Sequence, residues 1–180
     1  MVDIANFPVE LRWKIAAQSA SALLLTQEKI YKEILGQDYK KIQPLIDTIS
    51  YISWIQDGKN ASTLSNYLGL PVKTAEEIDK AHELISIILY GPEIQYKVVD
   101  KARDHVKSQI INCPFLNRAK ELGLESESLF ENCKAYHKTF VSNLNPKYTK
   151  EFTRAMCKGN EYCETCIELR KNTLTDKRFK

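Results

Sequence analysis

At Pro92 the apolar residues of this chain change period, and that change constrains the fold more than any other feature. Before it they recur at helical spacing across residues 7–35, 38–57, 61–68 and 74–90. After it Ile94, Tyr96 and Val98 alternate with Glu93, Gln95 and Lys97, and Val106, Ser108 and Ile110 alternate again. Helices followed by short alternating segments predict an α+β protein. Its helical half, 1–92, packs on a small antiparallel sheet with flanking helices in 93–172, and 173–180 form a polar tail. The competing reading is all-α, with one helix over 95–111; the length between Pro92 and Pro114 permits both.

In the first helix Asn6 is the expected cap, Pro8 sits in the first turn and Gly36 is the stop. Leu11, Ile15, Ser19, Ala22, Ile30 and Ile34 share one side. The second carries Ile42, Leu45, Ile46, Ile49, Ile52 and Ile55, and Asp57-Gly58 is expected to end it. A short helix over 61–68 follows. Thr74-Ala-Glu-Glu77 is a capping box opening a helix with Ile78, Ala81, His82, Ile85, Ile88 and Leu89 inward. This outline resembles a helix-turn-helix, but Glu76, Glu77 and Asp79 crowd the end that would enter a groove, and phosphate would repel them. An αα-hairpin is the better reading, with His82 as a core or boundary histidine. The net charge of +3 gives no further reason to expect nucleic acid.

Beyond the hairpin, Pro114 opens a short helix closed at Gly123. Ser128-Leu-Phe-Glu131 is a second capping box, leading a helix with Leu129, Cys133, His137, Phe140, Val141 and Leu144 on one face. Asn145-Pro146 predicts another helix carrying Tyr148, Phe152 and Met156, and 161–169 a last strand. In that strand Cys163, Thr165, Ile167 and Leu169 face one way, and Tyr162, Glu164, Cys166 and Glu168 the other. Cys163 is therefore expected to be buried and Cys166 more accessible. No apolar run reaches the roughly 18 residues of a membrane span. Asp3 stands where a signal peptide would carry basic residues, so a cytoplasmic location is expected.

All five cysteines lie at or after position 113, which points to a site in the second half. Reduced thiols are expected, although the wealth of Ile, Lys, Glu and Tyr suits a hyperthermophile, where intracellular disulfides occur. Three readings compete. A metal cage would use Cys133 and His137, four apart on one helix face, with Cys157 and Cys163 across a turn; thiolate and imidazole suit zinc or iron. A nucleophile would be Cys113, whose helix-start position favours the thiolate, with His137 or His105 as base. In the third reading the thiols are core packing. A pocket walled by Tyr96, Phe140, Tyr148 and Tyr162 would favour binding of a small molecule. The long apolar helices of the first half suit a homodimer interface.

Cys113-Pro114-Phe-Leu-Asn-Arg-Ala-Lys, Cys133 with His137, Asn145-Pro146 and Lys158-Gly-Asn-Glu-Tyr-Cys163-Glu164 together resemble the L-2-amino-thiazoline-4-carboxylate hydrolase family. The resemblance covers the chain from about Ile94 onward. The last segment is similar to a Gly-Asp-x-x-Cys-Glu signature, with Asn160 replacing the Asp, and Cys157 and Cys163 are spaced as in the cysteine-rich end of 4-vinyl reductase domains. The resemblance implies a small-molecule-binding protein that includes Glu164 in its ligand site, and a hydrolase opening C–N or C–S bonds of a cyclic amidine. The alternative is a non-catalytic metal- or ligand-binding sensor or interaction module.

Overall fold

The computed structural model describes residues 8–125 and 128–170, and of Ser128 the backbone alone. The expected Asn6 cap, the Ser128 half of the second capping box and the 173–180 tail lie outside the described residues. The chain is α+β, and the all-α alternative does not hold. It runs through α1 (Val9–Leu35), α2 (Tyr39–Tyr67), α3 (Ala75–Tyr90), β1 (Gln95–Ala102), β2 (His105–Asn112), α4 (Pro114–Leu122), α5 (Ser128–Leu144), β3 (Tyr148–Arg154) and β4 (Cys163–Leu169). The four strands form one antiparallel sheet in the order β1-β2-β4-β3.

Local signals account for most boundaries. Pro8 stands at the N-cap of α1, one place before the helix rather than inside its first turn, and Gly36 closes it with a positive φ of 50°. The Thr74–Glu77 capping box forms in both directions, satisfying donors that would otherwise be orphaned at the start of α3. Cys113 is the N-cap of α4, Pro114 its first residue and Gly123 its left-handed cap.

Two elements differ from expectation. Gly58 does not stop α2, which continues to Tyr67 and absorbs the expected 61–68 helix. Gly58 is where α2 crosses α5: a Cβ there would lie 2.6 Å from the Tyr136 carbonyl oxygen. The glycine serves close approach, not termination. The segment after Asn145-Pro146 is strand β3, not a helix. Positions 148, 152 and 156 fit a period of two as well as one of 3.6. The Asn145 side chain accepts from the Lys147 N–H, fixing a turn, and β4 supplies the pairing partner.

The main core draws on both sides of position 92. Trp54, Ala61, Ile78 and Ile85 of the helical half meet Val106, Tyr136, Phe140, Val141 and Ile167. From α1, Ala17, Ser21 and Leu25 are buried, with Leu25 in a smaller cluster beside Ala119 and Leu129. A Cβ on Gly91 would lie 2.8 Å from Ala17, and the Trp13 indole donates to the Ile88 carbonyl. Much of the apolar row of each long helix lies on the outside: Ile15, Ile30 and Ile34 of α1, and Leu45, Ile49 and Ile52 of α2, are all exposed. Among the described residues no helix is long and apolar enough to cross a membrane.

Candidate functional site

The interior of the sheet–helix layer holds a chain of polar groups. Residues 75, 78, 79, 82, 85 and 86 of α3 are all buried, a spacing that puts them on one face. Asp79 and His82 therefore point into the core. The Asp79 carboxylate accepts a 2.5 Å hydrogen bond from the Ser108 hydroxyl of β2 and lies 3.7 Å from the ammonium of Lys150 of β3. Lys150 Nζ is 3.4 Å from His82 Nδ1, and His82 Nε2 is 2.5 Å from His137 Nδ1 of α5. If the ammonium donates to His82 Nδ1, then His82 Nε2 carries the hydrogen and donates to His137 Nδ1, which fixes the tautomers along the chain. Burial holds both imidazoles well below their usual range, with the Lys150 charge adding to it. Burial likewise lowers Lys150, against the pull of Asp79. These groups tie α3, α5, β2 and β3 together.

The thiols gather beside this chain without closing a cage. Cys133 is pushed well above the usual thiol range, by burial first and then by Cys113, Cys163 and Cys157 nearby. Yet no three ligand atoms of Cys133, His137, Cys157 and Cys163 come within 4.8 Å of one another. All five cysteines are free of disulfides. The N–H groups of Leu116 and Phe115 point at Cys113 as its helix-start position suggests, but burial outweighs them and raises the thiol to about 11. His137 is engaged with His82, and His105 with Cys166 and Asp100. The expected contrast between Cys163 and Cys166 is absent, since they are 8% and 9% exposed. They do face opposite sides of β4, but His105 covers Cys166 from the neighbouring strand.

The aromatic residues expected to wall one pocket are engaged in packing and hydrogen bonds instead, with Phe140 and Tyr148 both in the main core cluster. Phe140 is fully buried in the core and Tyr96 packs edge-on against His82. The Tyr148 hydroxyl donates to Asp104 at 2.8 Å, and the Tyr162 hydroxyl accepts from Arg154 at 2.9 Å. Glu164 accepts from Thr153 on the outer face of the sheet.

Space opens elsewhere, between α1 and α2. A cleft of about 400 Å³ is lined by Leu24 and Leu25 of α1, Ile42 and Ile46 of α2, and Leu129 of α5, together with Trp54 and Phe115. The Trp54 and Phe115 rings are 4.9 Å apart, and with Leu24 they also line an adjoining hollow of about 370 Å³ that reaches Tyr90. The polar groups at the rims include Glu28, Asp47 and Asp57. Glu28 is paired with Lys32 at 2.8 Å. Burial raises Asp47 and Asp57 above the usual carboxylate range.

No family model and no curated protein matches the chain. Among solved structures it is similar to a trafficking protein particle complex subunit 3 from Naegleria fowleri, described as covalently bound to palmitic acid. The identity is 11%, the TM-score 0.54, and the match covers 85% of this chain and 96% of that one. That likeness is one of fold.

Proposed function

We propose that this chain is a cytoplasmic, non-catalytic small-molecule-binding protein whose ligand is an uncharged, largely apolar molecule held between α1 and α2. The observation that carries the reading is the 400 Å³ cleft, walled mainly by apolar side chains that include Trp54 and Phe115, within the size range of ligand sites. Asp47 of the cleft and Asp57 of the adjoining hollow disfavour an anionic ligand, which argues for a neutral alcohol, ester or sterol-like body over a free carboxylate. The palmitic acid on the structural neighbour is in keeping with an apolar occupant for this fold. A cysteine hydrolase of the thiazoline type has less support, because Cys113 is a protonated thiol and both candidate bases are engaged elsewhere. The exposed apolar rows of α1 and α2 favour a second copy as protein partner, since patches of that kind seldom stay bare.

The test is titration of the chain, with Trp13→Phe so that Trp54 alone reports, using a long-chain alcohol and the carboxylic acid of equal length. The alcohol should quench or shift the emission saturably and bind more tightly than the acid. Ile46→Glu should abolish the response while leaving the circular dichroism unchanged. An acid that binds as well as the alcohol, or a response that survives Ile46→Glu, would sink the reading.

A further inference from the structure

The sheet has a second face, turned away from α3 and α5, and at its β1–β2 turn end three metal-ligating side chains meet. We propose that His105, Cys166 and Glu168 form a binding site for a zinc-class divalent cation. Strand geometry brings them together. Cys166 and Glu168 are two apart on β4 and share a face, and His105 of β2 is paired directly opposite Glu168. A ring nitrogen of His105, Cys166 Sγ and a Glu168 carboxylate oxygen all lie within 4.8 Å of one another. His105 Nδ1 and Cys166 Sγ are 3.3 Å apart. In a tetrahedral zinc site with ordinary bond lengths, the N–S edge is about 3.6 Å, so the pair needs to part by only a few tenths of an ångström.

The surroundings fit the same occupant. Asp100 Oδ2 is 3.4 Å from His105 Nε2, the carboxylate contact that holds the hydrogen on Nε2 and leaves the Nδ1 lone pair facing Cys166 and Glu168. Lys107 is paired opposite Cys166, but its ammonium leans towards Glu164 at 3.9 Å, so that cation is drawn aside. Thiolate, imidazole and carboxylate together select zinc over calcium or magnesium. Binding forms a bond from sulfur to the ion and releases the thiol proton to solvent, one per ion. The site lies across the sheet from the α1–α2 cleft, so it stands or falls independently of the ligand bound there.

Cobalt(II) titration of the full chain under reducing conditions tests the site, because a thiolate ligand gives cobalt a charge-transfer absorption. One equivalent should saturate that absorption, and zinc should bleach it. Cys166→Ser should remove it, whereas Cys133→Ser should keep it. Glu168→Gln should weaken zinc at least tenfold in competition with a chromophoric chelator, and Asp100→Asn ten- to a hundredfold, as expected of a positioning residue. No absorption at one equivalent, or absorption that survives Cys166→Ser, overturns the proposal. If Cys166→Ser does not fold, the zinc affinity of Glu168→Gln decides: a tenfold loss supports the site and no change refutes it.

Discussion

Lys150 and Asp79 face each other across 3.7 Å, with the lysine side chain fully withdrawn from solvent. A buried ion pair adds little over an apolar pair of equal volume, but losing one member strands the other. Lys150→Met and Asp79→Leu should each cost about 3–5 kcal/mol. The double variant should cost clearly less than their sum, as read from urea unfolding midpoints. Simple additivity would mean that the two groups are not coupled.

The stability of the protein should fall on mild acidification. His82 and His137 are held well below the usual 6.5 in the folded chain. The unfolded chain takes up protons near that pH while the folded one does not. Stability is therefore complete above about 6.5 and declines below it, by up to about 1.4 kcal/mol per pH unit for each imidazole. Unfolding at pH 7.5, 6.0 and 5.0 checks this, and His137→Phe should make the decline shallower. A flat profile would show that the imidazoles accept protons in place.

Alkylation should be slow at Cys113 and Cys157, both raised to about 11. At pH 8 the thiolate fraction would be about two orders of magnitude below that of a free cysteine near 8.5. Timed labelling of the native protein with peptide mapping measures it. Rapid labelling of Cys113 below pH 8 would restore the nucleophile reading.

Replacing Gly58 by alanine should destabilise the protein despite the higher helix propensity of alanine. The added Cβ would stand 2.6 Å from the Tyr136 carbonyl oxygen and 3.1 Å from Thr139 Cβ. Overpacking of about 1–3 kcal/mol outweighs a propensity gain of up to about 1 kcal/mol. An unchanged melting temperature would mean that α2 and α5 separate freely.

Where one residue type decides local structure, the sequence was a sufficient guide. The Thr74 capping box, the β1–β2 hairpin, Pro114 and Gly123 all fall as their chemistry predicts. It was insufficient where a choice depended on a distant partner. Gly58 reads as a stop until α5 is known to cross it, and Tyr148 and Phe152 fit helix or strand until β4 arrives beside them. The site suffered in the same way. His82 was legible as a core or boundary residue, but nothing local marks Lys150 and Asp79 for burial, because the burial of each depends on the other. His105, Cys166 and Glu168 are 61 and two positions apart, and only strand register joins them.

The strand order leaves β1 and β3 as the two edges, and both are irregular. β1 shifts register at Gln95/Tyr96 and again at Val98/Asp100, and β3 shifts at Phe152/Arg154. Lys97 and Lys101 add charge along the β1 edge. A bulged, lysine-bearing border offers a poor template for another strand. Growth of this sheet into a continuous ribbon between molecules is thereby discouraged.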